Sequence, residues 1–145
     1  MLKNQKGFLL LESLLVLSIA ASLLLIPQMM TKSATVAMEG ELFKQNFESS
    51  VTAAQSYAVL SGKMTKIELF RQSRKITFSV LDDANHSFNH TLDFPDSISS
   101  STNAIVIYFL GGSGNISNLD SITFKINGKA AKFKFQLGSG RYEWE

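Results

Sequence analysis

The hydrophobic pattern of the chain changes twice and divides it into three segments. Residues 8–26 are almost continuously apolar, with one charged side chain among nineteen positions. At about 1.5 Å per helical residue this run extends about 28 Å, close to the ~30 Å hydrocarbon thickness of a bilayer. The pattern therefore predicts a membrane-spanning helical half over residues 8–30, preceded by a short basic segment at residues 1–7.

Over the next segment, residues 31–62, apolar side chains recur every three or four positions. This periodicity predicts an amphipathic helix that continues the apolar half. Its apolar positions are Ala34, Met38, Leu42, Phe47, Val51, Ala54 and Ala58. Ser61-Gly62 is typical of a helix C-terminus, because glycine adopts the left-handed conformation that ends many helices. Gly40 is interpreted as a tolerable weakness within the helix.

Residues 63–145 alternate between apolar and polar side chains, a pattern typical of strands. Predicted strands lie at residues 66–71, 75–81, 88–94, 104–110, 121–126 and 131–137, with a short last strand near 141–145. Asn127-Gly128 predicts a tight hairpin, and the polar run 96–103 predicts a loop. The continuous apolar run 104–110 favours a central strand. A helix followed by a run of strands predicts an α+β fold, a long N-terminal helix packed on a C-terminal antiparallel β-sheet of open strand order.

Composition and charge limit the chemistry available to this domain. The chain has no cysteine, which excludes disulfides and thiolate metal sites. An extracytoplasmic domain without disulfides favours a Gram-positive bacterium. Formal net charge is +2, but two of the fourteen basic side chains, Lys3 and Lys6, lie in the basic segment 1–7. The chain from Phe8 onward therefore has twelve basic against twelve acidic side chains and carries no overall nucleic-acid signature.

One acidic residue, Glu12, lies inside the apolar run, where a plain anchor would have Leu or Ala. Burying a charged group in hydrocarbon costs roughly 2.5–3.5 kcal/mol on insertion scales, so the carboxylate needs a defined partner. The surrounding run from Lys6 to Glu12, K-G-F-L-L-L-E, resembles the type III leader of type IV pilins and pseudopilins. In that pattern a basic leader ends in Gly, Phe follows, and Glu is the fifth residue of the mature chain.

This resemblance implies three roles for the N-terminal residues. A membrane prepilin peptidase cleaves after Gly7, and the exposed Phe8 is N-methylated. Glu12 meets the positive terminal amine of a neighbouring subunit as a filament assembles. Such a pair in a low-dielectric bundle would select one axial register, since an unpaired carboxylate there is costly.

The C-terminal segment also resembles known minor pilins. The runs F-L-G-G-S-G-N at residues 109–115, I-T-F at 122–124 and F-K-F-Q-L-G-S-G-R-Y at 133–142 are similar to two groups. One is the GspH/FimT-type minor pseudopilins, and the other is the ComGD-like minor pilins of Gram-positive competence systems. The small size and missing cysteines favour the competence group. The resemblance implies a non-enzymatic minor pilin, without cofactor, needed for pilus assembly and uptake of transforming DNA.

Partners and location follow from the same resemblance. The implied partners are the major pilin, other minor pilins, the prepilin peptidase, the assembly ATPase and the membrane platform protein. Because the leader is basic, the N-terminus is expected in the cytoplasm and the C-terminal domain outside. The expected location is thus the cell membrane, as a single-pass protein, and later the pilus at the cell surface.

Other interpretations stay open. A pseudopilin of a type II-like protein secretion system would share the whole architecture, and a secreted or anchored binding domain would keep the sheet without a filament role. An ordinary secretory signal cleaved near Ala21, or an uncleaved anchor, leaves Glu12 without a purpose. No catalytic constellation is found, so an enzyme has the least support.

The two histidines and a glycine-rich run are considered as candidate binding sites. His86 and His90 are four residues apart, a spacing of ~13 Å on a strand, and no acid accompanies them, which favours surface histidines over a metal site. Gly111 to Gly114 lacks the following Lys-Ser/Thr of a phosphate loop.

A group of four lysines could form a basic edge that contacts DNA phosphates: Lys125, Lys129, Lys132 and Lys134. The pattern favours the alternative, a solvated strand face on which lysines discourage edge-to-edge pairing.

Overall fold

The computed structural model describes residues 5–118, 120–136 and 141–145, with the side chains of residues 10–23 and 34–61 within the helix. An α-helix, α1, spans Gln5–Ser61, and a short 3-10 helix spans Arg71–Ser73. The strands are β1 (Thr65–Phe70), β2 (Lys75–Val80), β3 (His90–Asp93), β4 (Ile98–Ser100), β5 (Ala104–Phe109), β6 (Ser121–Ile126), β7 (Lys129–Phe135) and β8 (Tyr142–Trp144). The chain divides into two compact units, Met1–Ala37 and Met38–Glu145.

The first unit contains the apolar part of α1, and its described serines are satisfied within the helix. The Ser18 hydroxyl donates to the Leu15 carbonyl at 2.8 Å, and the Ser22 hydroxyl donates to the Ser18 carbonyl at 2.8 Å. Such bonds let serine lie in an apolar helix without an outside partner. Among the described residues, no helical stretch combines the length and hydropathy required to cross a bilayer. The membrane-spanning half over residues 8–30 stays a prediction, and residues 1–4 of the predicted leader lie outside the described residues.

The amphipathic half of α1 buries one face in the second unit. Its buried positions are Gly40, Phe43, Phe47, Val51, Ala54 and Ala58, spaced three or four residues apart. The predicted stripe is confirmed from Phe47 onward but is wrong at Met38 and Leu42, which are 66% and 54% exposed. Phe43, and not Leu42, lies one helical turn before Phe47 and therefore belongs to the inward face.

The helix ends as the sequence predicts. Gly62 has a φ of 70°, and its N–H donates to the Ala58 carbonyl at 3.2 Å. This bond from the residue after the cap to the preceding turn is the αL motif that closes many helices.

The strands form two antiparallel sheets of four strands each, where a single sheet is predicted. The first has the order β3-β2-β1-β5, and the second has the order β4-β6-β7-β8. Phe47 of α1 joins them, since its ring centroid lies 6.2 Å from that of Phe78 in the first sheet and 4.8 Å from that of Phe133 in the second. One shared core thus holds the helix against both sheets. The predicted α+β class, an N-terminal helix packed on antiparallel strands, is confirmed.

Two predictions about the strands are wrong: a predicted loop contains a strand, and a predicted central strand lies at a sheet edge. The predicted loop 96–103 contains β4, which pairs with β6 and buries Ile98 to 1% exposure. A three-residue strand is too short to produce a recognisable alternation. The apolar run predicted as a central strand is β5, which lies at the edge of the first sheet. Val106 and Tyr108, on the outer face of β5, are half-buried. Both faces of β5 therefore have apolar side chains, a pattern typical of a central strand, although β5 lies at the edge.

The hairpin between β6 and β7 agrees with the prediction. Asn127 and Gly128 have φ values of 53° and 80°, and the register pairs Ile126 with Lys129 across the turn. Two consecutive positive φ values are those of a type I′ turn, whose twist matches the flanking strands.

Candidate functional site

The residues predicted for processing and assembly lie at the start of α1. Gly7 and Phe8 fall within the helix, and the side chain of Phe8 lies outside the described ones. Glu12 is exposed and makes no ion pair with any described residue. The leucines around it are 54–69% exposed: Leu10, Leu11, Leu14 and Leu15. A carboxylate on a leucine surface therefore has no counter-ion within the part of the chain that the structure describes.

A second group of contacts fastens the last strand to the helix. The Tyr142 hydroxyl lies 2.8 Å from Thr52 Oγ1, and Trp144 Nε1 donates to a Glu48 carboxylate oxygen. The Lys44 ammonium lies 5.6 Å from the centroid of the Trp144 ring, within cation–π range. These contacts hold β8 against α1. No local pattern indicates these contacts, because the hydrogen-bonded partners are about ninety positions apart.

The glycine-rich run after β5 packs on the end of α1. The Gly112 N–H donates to the Ala58 carbonyl at 2.9 Å, and Gln55 Nε2 donates to the Gly114 carbonyl at 3.1 Å. A Cβ on Gly111 would lie 2.0 Å from the Gly62 carbonyl oxygen. Only residues without side chains allow this approach of two backbones. The run is thus explained as a helix-docking loop.

Both histidines are bonded through both ring nitrogens. The Phe88 N–H donates to His86 Nδ1 at 3.1 Å, so in the neutral ring Nε2 carries the proton and donates to the Tyr57 hydroxyl at 2.8 Å. His90 Nδ1 lies 2.8 Å from the Phe88 carbonyl, and its Nε2 accepts from Ser50 Oγ at 3.2 Å.

These bonds fasten the segment between β2 and β3 to the helix, a role that the sequence analysis missed. Across the described residues, no three metal-ligating side chains come together.

The four candidate lysines divide into a group of three and a single residue. Lys125, Lys132 and Lys134 point to the outer face of the second sheet, because the alternate positions of β6 and β7 are buried. Lys129 has the opposite parity and lies at the hairpin end. The lysines do not form a sheet edge, since β7 lies between β6 and β8. The predicted edge-protecting role is therefore wrong, and the predicted basic face is only partly assembled.

Acidic residues within and directly after β8 lie beside two of these lysines. Glu143 is the cross-strand neighbour of Lys134, and Lys132 exchanges two main-chain hydrogen bonds with Glu145 at 2.8 Å. Lys134 Nζ lies 3.0 Å from Glu145 Oε1. This hydrogen bond and the attraction of opposite charges raise the pKa of Lys134 and lower that of Glu145. The lysine face is thus partly neutralised.

Comparison with known proteins gives matches in structure and none in sequence. No protein-family profile and no curated protein matches the chain. The minor pseudopilin EpsH from the type 2 secretion system of Vibrio cholerae matches with a TM-score of 0.58 at 16% identity, over 74% of this chain and 96% of that chain. The type IV minor pilin FimU of Pseudomonas aeruginosa matches with a TM-score of 0.55 at 15% identity, over 80% of this chain and 92% of that chain.

The chain therefore has the fold of type IV pilins and pseudopilins. This confirms the fold that the resemblance of the leader implies. Within that fold, the closer likeness to competence minor pilins stays a prediction.

Proposed function

We propose that this protein is a minor pilin of a competence-type type IV pilus, needed for pilus assembly and for uptake of transforming DNA. One observation carries the proposal. Glu12, fifth after Gly7, lies on an exposed leucine surface and makes no ion pair with the described residues, and its helix belongs to a chain with a pilin fold. An acid in that setting needs a counter-ion, and a second processed subunit offers its terminal amine.

The proposed mechanism is structural. The precursor first lies in the membrane with the C-terminal domain outside. Cleavage after Gly7 frees the Phe8 amine, which is then methylated. During assembly the apolar half of α1 exchanges lipid contacts for contacts with equivalent helices. Glu12 then pairs with the amine of an adjacent subunit and sets the axial register.

Partners in this mechanism are the major pilin, other minor pilins, the prepilin peptidase, the assembly ATPase and the membrane platform protein. The protein would lie first in the cell membrane of a Gram-positive bacterium and then in the surface pilus. As a separate part of the proposal, the face formed by Lys125, Lys132 and Lys134 is the surface that contacts DNA.

Intact mass of the membrane-extracted protein tests the processing step. We expect loss of residues 1–7 and the gain of one methyl group. Cleavage near Ala21 would support ordinary secretion instead. Retention of Met1 in cells with an active prepilin peptidase would contradict the proposal.

Replacing Glu12 tests the assembly step. Glu12→Ala should leave cleavage largely intact and strongly reduce the number of pili, because the terminal amine loses its partner. Ser13→Ala, at the next position of the same helix, is the matched control and should leave piliation normal. Normal piliation by Glu12→Ala would remove the proposed role of the carboxylate.

A pseudopilin of a protein secretion system is the second candidate function. The match to EpsH, which covers 96% of that chain, favours it. A deletion strain separates the two, because loss of transformation with normal export supports the competence pilus. Loss of protein export with normal transformation would support the secretion system.

A further inference from the structure

Ser79 of β2 carries a polar atom without a partner. The residue is 9% exposed, and among the described residues its Oγ is a buried side-chain atom that makes no hydrogen bond. Its neighbours Phe78 and Val80 face the core, so Ser79 lies on the opposite face of the first sheet, with Thr77 and Lys66. Buried hydroxyls in folded proteins are almost always bonded, so this one calls for an outside group.

A surface cavity of about 570 Å³ lies at this position. Its walls combine the strand side chains with the turn after β2, and include Lys66, Thr77, Ser79, Leu81, Asp82 and Asp83. Asn89 fixes the turn, because its Oδ1 accepts from the Val80 N–H at 2.9 Å and its Nδ2 donates to the Asp83 carbonyl at 2.8 Å. The cavity is thus built on a strand and on a braced turn.

Two ion pairs lie around the cavity, and one further carboxylate has no ion-pair partner among the described residues. Lys66 Nζ lies 3.1 Å from Glu68 Oε2, and Lys63 Nζ lies 3.8 Å from Asp83 Oδ2. Asp82 forms no ion pair within the described part of the chain, and its φ of 62° is held by the turn. The cavity itself is lined by two carboxylates, those of Asp82 and Asp83, against the single ammonium group of Lys66, so it disfavours an anion and favours a cation.

From this geometry we propose that the cavity receives the guanidinium group of an arginine from a partner protein. A guanidinium has five N–H donors in a planar fork and no acceptor. It can donate at once to the Asp82 carboxylate and to Ser79 Oγ, while Leu81 and the methylenes of Lys66 contact the arginine stem. An ammonium is a compact point charge and fits two separated acceptors less well.

The Ser79 hydroxyl is closed to solvent before binding. Under the proposal, a rotation about the Ser79 Cα–Cβ bond would turn Oγ toward the cavity, and a small movement of the Lys66 side chain would uncover it. Binding then satisfies a hydroxyl that is unbonded in the free protein. The proposal goes beyond the pilus function and does not depend on whether the cargo is DNA or protein.

Nuclear magnetic resonance of the full-length protein in detergent micelles tests the proposal, with N-acetyl-arginine methylamide as the probe. We expect saturable shifts of the amide signals of Val80, Leu81 and Asp82. The shifts should be lost in Ser79→Ala and in Asp82→Asn. Asp96→Asn, which removes an exposed carboxylate paired with Arg74 elsewhere, is the control and should respond like the unmodified protein.

Thermal unfolding of the same variants gives an independent check. Without ligand, Ser79→Ala should unfold at the same or a higher temperature, because it removes a polar atom that has no partner. A lower unfolding temperature would mean that the hydroxyl is already bonded, for example to water, and would overturn the proposal. Non-saturating shifts, shifts that persist in both variants, or an equal response to N-acetyl-lysine methylamide would overturn it too.

Discussion

Gly40 lies on the buried face of α1, where the absence of a side chain lets the helix approach the β6–β7 turn. A Cβ at this position would lie 2.7 Å from Ile126 Cγ2 and 3.0 Å from Asn127 Nδ2. Ile126 is β-branched and 7% exposed, so its methyl group cannot easily move aside. In the sequence this glycine is a weak point of the helix, whereas the structure shows that its missing side chain is required for packing.

Gly40→Ala should therefore destabilise the protein although alanine is the better helix former. We expect a loss of about 1–3 kcal/mol in the free energy of unfolding, the usual cost of overpacking a core. Ser49→Ala, at an exposed position of the same helix, is the control and should be neutral or slightly stabilising. Chemical denaturation measures both. A gain of about 0.5–1 kcal/mol for Gly40→Ala, the value set by helix propensity alone, would contradict the packing role.

A side chain that conflicts with its own surroundings can be singled out from the sequence alone. Glu12 conflicts with the leucines next to it in sequence, so it is singled out without a structure, and its role in assembly stays a prediction. His86 and Ser50 carry no such conflict, because their partners Tyr57 and His90 lie 29 and 40 positions away. Their bonds could not be predicted from a single sequence.

The β6–β7 hairpin depends on backbone conformation and not on space. Gly128 has a φ of 80°, and nothing lies within 4 Å of a Cβ placed on it. Gly128→Ala should destabilise the protein by about 1–2 kcal/mol, the cost of the left-handed conformation for a residue with a Cβ. Gly128→Asn should cost clearly less, because asparagine tolerates that conformation. Equal unfolding free energies for the two variants would argue against strain at this turn.

The Lys134–Glu145 pair makes the attachment of β8 depend on pH. Glu145 has a lowered pKa, so its contribution to stability is present above the ordinary value of 4.5 and is lost as pH falls through the lowered one. Lys134 has a raised pKa, so its contribution is present below the ordinary value of 10.5 and is lost as pH rises through the raised one. The pair therefore stabilises β8 across the neutral range.

Lys134→Met should return the titration of the Glu145 carboxyl toward its ordinary pKa, because the hydrogen bond from the ammonium is gone. Carbon-detected magnetic resonance across the acid range measures this change. Lys125→Met, on the outer face of β6, is the matched control and should leave the Glu145 titration unchanged. An unaltered titration in Lys134→Met would show that the pair does not form in solution.

Elements with local signals were predicted well, and elements that depend on distant pairing were not. The end of α1, the Asn127-Gly128 turn and most strands carry their signals within a few residues. β4 owes its existence to pairing with β6, and the edge position of β5 depends on where the other strands lie. Such information is not contained in a local pattern.

For the whole molecule, the balance of charge decides how DNA contact should respond to mutation. The chain from Phe8 onward has equal numbers of acidic and basic side chains, and Glu143 and Glu145 lie beside Lys132 and Lys134. The pairing of β8 with β7 brings these acids next to the lysines, and this register could not be predicted from the sequence.

Replacing Glu143 and Glu145 with Gln should strengthen binding of duplex DNA at low salt and make it more sensitive to salt, because more lysine charge becomes available to phosphates. Gel retardation over a salt series measures the effect. Changing all four candidate lysines to Glu should abolish binding, while Asp93→Asn, on the first sheet, should have little effect. Absence of retardation at low salt for every variant would end the DNA-contact hypothesis.

The attachment of β8 to α1 places the only tryptophan of the chain, Trp144, against Phe47 and within reach of Lys44 and Glu48. The protein thus carries an intrinsic fluorophore at the junction of its first and last elements. Separation of the two would expose the indole to water and shift its emission to longer wavelength. Docking of the C-terminal strand could be followed in real time without any added label.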